Sequence, residues 1–208
     1  ACGTNALAAV GSTGNLTNLV VNFYVGLSTG ASVVIAQYYG AHNKDKIHQA
    51  VHTSYMLAIV SGIIMMLFGL FFSYQCLDAI GVPHDILNDA SLYMRLYFLG
   101  MIPGAIYNIG SGILRAVGDS KRPLYYLIIC SIVNVVFDFV LVVILHKGIA
   151  GAAIATFIAQ TVCAILVTLQ LMFSKDVYQL TLSKIKFHLP VLKKIVQIGA
   201  PAGIQSTM

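Results

Sequence analysis

The chain has 208 residues, of which 58% are hydrophobic and only 9% charged, and its mean hydropathy is +0.85. Soluble domains carry about 25% charged residues, so this composition indicates a membrane protein and excludes an ordinary soluble domain. The net charge of +5 comes from basic residues in short loops, which is typical of membrane topology and not of contact with nucleic acid. The four cysteines have no metal-ligand spacing, and we expect them to be packing residues.

Five apolar stretches are long enough to cross a bilayer as helices, which requires about 20 residues each. They are predicted at about residues 7–39, 51–74, 93–114, 124–145 and 150–173. Residues 176–190 are polar and basic, and residues 191–208 begin another apolar helix that the sequence does not finish. Across this junction, KIKFHLPVLKKIV has the pattern of an amphipathic surface helix. The predicted fold is an all-α integral membrane protein with five complete spans.

The first span carries amide side chains on one face. Asn15, Asn18 and Asn22 recur at i, i+3 and i+7, so a helix places them on the same side. Amides are poorly suited to contact with lipid and fit either a water-filled cavity or interhelical hydrogen bonds, and both alternatives stay open. Gly26 and Gly30 follow as a GxxxG pair, which is typical of helices that pack closely.

The third span is predicted to bend. Pro103 lies inside it between Gly100 and Gly104, and proline removes a helix hydrogen bond. Arg95, near the start of the span, is expected to extend to the membrane surface, with contact to a substrate as the alternative. We expect Pro103 and Arg95 to line a substrate cavity together with the amides of the first span.

The fourth span contains a carboxylate at membrane depth. Asn134 and Asp138 lie four residues apart in an otherwise apolar run, so they are one turn apart on one helix face. A carboxylate in hydrocarbon is costly, and such residues usually face a protein interior or a water-filled cavity. Asp138 is therefore a candidate functional group. The alternative is that neighbouring donors cap Asp138 and that it only holds helices together.

Basic residues divide unequally between alternate loops. Ten lie after the first, third and fifth spans, whereas only Lys147 and Arg95 lie on the other side. Because loops rich in lysine and arginine stay in the cytoplasm, the first span should begin outside the cell, and a further span is expected before it. The chain is predicted to lie in the cell membrane of a prokaryote as a multi-pass protein.

Several segments, in their order and spacing, resemble the N-terminal lobe of multidrug and toxic compound extrusion (MATE) transporters. These segments are GTNALAAVG, AQYYGAHN, YMRLYFLG, RAVGDSKRP, NVVFDFVLV and GIAGAAIAT. The resemblance implies that residues 1–175 form the second to sixth helices of a twelve-helix protein with two lobes. Residues 176–190 would be the cytoplasmic linker between the lobes, and residues 191–208 the start of the second lobe. The first helix and the second lobe would then be missing parts of the same polypeptide.

The resemblance also implies a cation site. In several prokaryotic members an Asn and an Asp on the fifth helix and a Thr on the sixth bind a cation, and Asn134, Asp138 and Thr156 match this pattern. Asp138 would take up H⁺, since a half-dry cavity favours its neutral form, or the three side-chain oxygens would bind Na⁺. The family site also uses an Asp on the first helix, which this sequence does not contain. No other cofactor is expected.

The expected function is cation-coupled antiport, which exports cationic or amphipathic drugs by alternating access. One alternative is a lipid-linked oligosaccharide flippase of related fold, for which Arg95 is thin support, and another is an inactive part of a transporter. A membrane-embedded enzyme would need a second carboxylate, a paired histidine or a serine nucleophile at membrane depth. The sequence has one intramembrane carboxylate and no catalytic motif, so we predict that the protein is not an enzyme. A receptor or scaffold has no better support.

Overall fold

The structure is a computed structural model that describes the backbone of residues 4–205. Within that range it describes all side chains except those of residues 4–13, 15, 16, 85, 86, 89 and 204. All regular structure in the described residues is helical: α1 (Thr4–Gly40), α2 (Lys44–Ala79), α3 (His84–Leu99), α4 (Met101–Ala116), α5 (Lys121–Asp138), a π-helical segment (Phe139–Ile144), α6 (Gly148–Phe173), a 3₁₀ turn (Leu182–Lys184) and α7 (Leu189–Gln205). The protein is therefore an all-α membrane protein, as the sequence predicts.

The predicted spans coincide with long apolar helices. Among the described residues, four helical stretches are long and apolar enough to cross a membrane, and α3 with α4 adds a fifth if the pair is one broken span. Helix α2 begins seven residues before the predicted span at residue 51. It begins there because the Asn43 side chain caps it, accepting a hydrogen bond of 3.1 Å from the Lys46 N–H. Residues 44–50, which the sequence analysis placed before the span, therefore form the first two turns of the helix.

The predicted bend in the third span is present, three residues before Pro103. Helices α3 and α4 meet at Gly100 with an angle of 48° between them. Pro103 lies in the first turn of α4. Backbone N–H groups in a first turn have no acceptor within the helix, so the absence of an N–H in proline costs no helical hydrogen bond there. The bend therefore lies where α3 ends, and Pro103 lies within the first turn of the next helix.

The fourth span ends in an unexpected π-helical segment. Helix α5 is regular as far as Asp138, and residues Phe139–Ile144 then form wider turns, which end where the Leu145 N–H donates to the Val140 carbonyl at 2.9 Å. Short π-helical segments inside α-helices occur frequently at functional sites. The span predicted at about residues 124–145 is present, and the change of helix type within it was not predicted.

Helix α7 packs lengthwise on α1. The amphipathic helix predicted from KIKFHLPVLKKIV was wrong in its first part, because α7 begins only at Leu189 and Pro190 lies in its first turn. Gly30 of α1 lies so close to α7 that an added Cβ would be 2.7 Å from the Gly199 nitrogen. Gly26 faces Gly203 in the same way, which confirms the predicted role of the GxxxG pair. We call this contact the glycine seam.

Candidate cation and substrate site

Two cysteines fix the register between α5 and α6. The Cys163 thiol on α6 donates to the Tyr126 carbonyl at 3.3 Å, and the Cys130 thiol on α5 donates to the Ala159 carbonyl at 3.0 Å. The residue numbers rise on one helix as they fall on the other, so the two helices are antiparallel. The predicted packing role of these two cysteines is confirmed, and their bonds define which residues face each other along the pair.

Continued by one turn, this register directs two residues of the predicted cation site, Asn134 and Asp138, toward the helix that carries the third, Thr156. One turn beyond Cys130, Asn134 lies level with Ala155 and therefore next to Thr156. Asp138 lies a further turn along α5, and both Asn134 and Asp138 are half-buried. Beyond Asp138 the π-helical segment changes the register, and Gly151 of α6 lies against the Leu141 backbone. The side chains share the face of α5 that Cys130 directs toward α6. The amide and the carboxylate thus lie one turn apart on one face of α5, toward the helix that carries the Thr156 hydroxyl.

The Asp138 carboxylate has an oxygen without a partner. Its Oδ1 is inaccessible to solvent and accepts no hydrogen bond from any described residue. Tyr93 of α3 is close enough to interact with the carboxylate electrostatically. The Thr156 hydroxyl donates its proton to the Ala152 carbonyl at 3.0 Å, so it does not cap Asp138 and its lone pairs remain available. These oxygens suit a proton or a hard cation.

Gln160 is a further polar residue of this region that the sequence analysis missed. It lies one turn beyond Thr156 on α6, and its Oε1 is a second buried oxygen without a hydrogen bond in the described part of the chain. Oε1 lies 2.5 Å from where a Cβ on Gly100 would be and 3.3 Å from one on Gly104. A larger residue at Gly100 would require the end of the Gln160 side chain to shift. The spacing of four residues from Thr156 was the available sequence signal.

The predicted substrate-cavity residues are spread over different surfaces. Asn18 is exposed and Asn22 half-buried on α1, while the side chain of Asn15 lies outside the described ones. Arg95 is exposed on α3. Pro103 lines an apolar groove of about 640 Å³ between α2, the α3–α4 bend and α6, and neither Asn18 nor Asn22 lines it. A single cavity shared by all five residues therefore stays a prediction.

The sequence is similar to multidrug resistance proteins of bacteria. The MatE family model matches residues 1–140. The "Probable multidrug resistance protein YoeA" of Bacillus subtilis (strain 168) is 30% identical over 211 residues, which cover 97% of this chain and 45% of that protein. The "Probable multidrug resistance protein NorM" of Thermotoga maritima is 24% identical over 205 residues, covering 97% and 44%. The chain thus spans about half the length of the curated relatives it matches.

Solved transporter structures contain the same fold. The inward-facing conformation of a multidrug resistance MATE family transporter of the MOP superfamily matches with a TM-score of 0.91 and 27% identity, over 99% of this chain and 47% of that one. An outward-facing conformation of such a transporter also matches with a TM-score of 0.91 and 27% identity, over 99% and 46%. The fold of this chain is therefore similar to part of a transporter in both states.

Proposed function

The chain belongs to the MatE family, and we propose that it forms one lobe of a cation-driven exporter of cationic or amphipathic compounds. MatE is a family of transporters and not a class of enzymes. The names of the relatives, which refer to multidrug resistance, support the substrate class. Because the chain spans about half of those relatives, the proposed export belongs to the transporter that contains this chain together with its other helices.

The observation that carries the proposal is the unpartnered Oδ1 of Asp138. A buried acceptor without a hydrogen bond costs about 1–3 kcal/mol, and more when it is charged. A proton or a cation bound at the carboxylate would remove that cost. The alternative of a purely structural Asp138 has less support, because the Thr156 hydroxyl proton is bound to Ala152 instead.

The surroundings of Asp138 suggest how cation binding would affect the helices. The π-helical segment begins at the next residue, and α5 contacts mainly α6, so small changes in α5 disturb few other contacts. If a cation binds one arrangement of α5 more tightly than another, its binding raises the population of the arrangement that binds more tightly. The free energy of this shift cannot exceed the difference between the two binding free energies. In the whole transporter, this shift would favour either the inward-open or the outward-open arrangement of the lobes.

The test is substitution of Asp138 by Asn in the whole transporter. The purified protein is reconstituted into vesicles, and dye export is recorded under a proton gradient and, separately, under a sodium gradient. Asp138→Asn should abolish gradient-driven export while expression stays near normal, because the amide binds neither ion as a carboxylate does. Asp119→Asn is the matched control, since Asp119 lies in a loop and pairs with Arg122 at 3.2 Å. Normal export by Asp138→Asn would exclude the coupling role.

Substitution of Thr156 distinguishes the two coupling ions. If Na⁺ is bound by Asp138, Asn134 and Thr156, Thr156→Val removes one oxygen ligand and should raise the Na⁺ concentration needed for half-maximal export, whereas Thr156→Ser should not. If H⁺ is the coupling ion, Thr156→Val should leave the dependence on the proton gradient unchanged. Both variants keep the size of the side chain close to that of threonine.

The proposed orientation places the basic loops in the cytoplasm of a prokaryotic cell. Ten of the twelve lysine and arginine residues lie in the connections after α1, α4 and α6 or in the helix ends beside them, as the positive-inside rule requires. Single cysteines introduced at Lys44 and at Gly81, in a variant without the natural cysteines, would test this orientation. A membrane-impermeant maleimide added to intact cells should label position 81 and leave position 44 unlabelled.

A further inference from the structure

A cavity of about 880 Å³ lies between the first turns of α2 and the segment that joins α6 to α7. We call this segment, residues 174–188, the connecting segment. The charged and titratable residues that line the cavity are Lys44, Asp45, His48, Asp176, Lys184, Lys186 and His188. Three lysines and two histidines therefore face two aspartates, and the cavity carries an excess of positive charge. The proposed cation site uses none of these residues.

Two sets of hydrogen bonds attach the connecting segment to α2. His52 is completely buried, and its Nε2 accepts a hydrogen bond of 3.0 Å from the Thr181 N–H. The other ring nitrogen of His52 is bonded to a backbone carbonyl of α2 at 2.8 Å. Seven residues further along, the His188 N–H donates to the Thr53 hydroxyl at 3.1 Å. The wall of the cavity is thus held at both ends by buried or half-buried groups.

Lys184 and Lys186 lie between these two attachment points. Both side chains are exposed, and neither forms an ion pair within the described part of the chain. Burial and the positive charge of Lys186 hold the pKa of the neighbouring His188 below its usual value. The two lysines are therefore available to an anionic ligand, and the nearby imidazole stays neutral, so the positive charge at this wall comes from the lysines.

Exposed apolar side chains flank the same lysines. Leu182, Phe187 and Leu189 are 52%, 37% and 73% exposed. Lysine beside exposed leucine and phenylalanine at the end of membrane-spanning helices is typical of contact with the lipid headgroup region. A free phosphate ion would contact only the lysines, whereas a phospholipid offers a phosphate for the lysines and acyl chains for the apolar side chains.

We propose that this cavity binds the phosphate headgroup of an anionic phospholipid, whose acyl chains cover Leu182, Phe187 and Leu189. Lys184 and Lys186 contact the phosphate, and the attachment of the connecting segment to α2 keeps them in place. The bound lipid then bridges α2 and the start of α7. This site does not depend on the proposed export, because it uses different residues and a different ligand.

The experiment measures lipid binding to the whole delipidated transporter in uncharged detergent. Native mass spectrometry gives the affinity for phosphatidylglycerol, for phosphatidylcholine and for glycerol 3-phosphate. The test variant is Lys184→Gln with Lys186→Gln. The matched control is Lys175→Gln with Lys193→Gln, which removes the same charge from exposed residues outside the cavity. A third variant, Leu189→Ser, keeps every charge and changes only the apolar contact.

The parent should bind phosphatidylglycerol more tightly than the other two ligands. Each basic residue near an anionic lipid contributes about fivefold in affinity, so the cavity variant should bind phosphatidylglycerol about 30-fold more weakly than the parent. The control should keep the affinity of the parent, and Leu189→Ser should lose about tenfold. Equal losses in the cavity variant and the control would overturn the proposal, as would equal affinity for phosphatidylcholine. Glycerol 3-phosphate binding as tightly as phosphatidylglycerol would mean a soluble phosphate site instead.

Discussion

Helices α1 and α5 are both apolar spans with polar residues on one face, yet they are packed very differently. Helix α1 contacts α2, α3, α4 and α7, and its buried side chains include Tyr24, Val34 and Ile35. Helix α5 contacts mainly α6, and Pro123 is its one buried residue. Its large apolar side chains are exposed along its length, for example Val135 at 66%. The helix that holds the candidate coupling carboxylate is thus far less buried in the bundle than α1 is.

This difference matters for the proposed mechanism. A helix that is packed on all sides can change position only if several neighbours repack, because protein interiors are dense and tolerate few voids. Helix α5 is connected to the bundle by the register bonds of Cys130 and Cys163 and by the π-helical segment after Asp138. Two further hydrogen bonds attach it, from the Tyr107 hydroxyl to the Pro123 carbonyl at 3.2 Å and from the Tyr126 hydroxyl to Gln170 Oε1 at 3.3 Å. Cation binding at Asp138 therefore has to overcome fewer contacts than a movement of α1 would. Helix α1, which is packed between α4 and α7, is instead suited to stay in place while α5 moves.

The largest expected effect is at the glycine seam. Gly30→Ala should lower the free energy of unfolding by up to about 3 kcal/mol, because the added Cβ would be within 3.0 Å of the backbone of Ile195 and Gly199. Gly14→Ala is the control, since a Cβ at Gly14 would meet nothing within 4 Å and alanine favours the helix. Unfolding in detergent, followed by circular dichroism, measures both. Equal stability of the two variants would mean that α1 is not held tightly at this seam.

The next effect concerns Gln160 at the bend. Replacing the amide by a leucine of similar volume should raise the free energy of unfolding by about 1 kcal/mol, since a buried oxygen without a partner is removed. Export should fall nevertheless, if the oxygen is satisfied in another state of the transport cycle. Gln37→Leu, at an exposed position of α1, controls for added apolar surface. A loss of stability in Gln160→Leu would show that the amide has a partner.

A smaller effect is expected from the α5–α6 register. Cys130→Ala removes the thiol that bonds to Ala159 and should cost about 0.5–1 kcal/mol. The amides of α5 should then exchange hydrogen faster, while those of α1 should not change. Cys76→Ala, which changes another half-buried free cysteine, is the control. Unchanged exchange in α5 would mean that the thiol does not hold the register.

The smallest effect should come from the exposed face of α5. Val135→Ala should change the free energy of unfolding by less than about 0.5 kcal/mol, because the side chain contacts lipid or detergent before and after unfolding. The same substitution of the buried Val34 in α1 should cost about 2 kcal/mol. If the two costs were similar in the whole transporter, another part of the polypeptide would cover this face of α5.

The sequence by itself determined where the chain crosses the membrane and which residues share a helix face. Apolar length set the five spans, and the spacing of four residues placed Asn134 and Asp138 together, because these features depend only on helix geometry. The close approach at Gly26 and Gly30 followed from residue size. Helix boundaries were less predictable, since the cap at Asn43 moved the start of α2 by two turns.

The tertiary structure alone decided how those faces meet. The missing partner of Asp138 and the position of Gln160 against Gly100 depend on contacts between helices that are distant in the sequence. The same is true of the attachment of Thr181 to His52, which are 129 residues apart. Such contacts follow from the register between packed helices, and a one-residue change in register turns a side chain by about 100° around its helix. Local sequence patterns contain no information on that register.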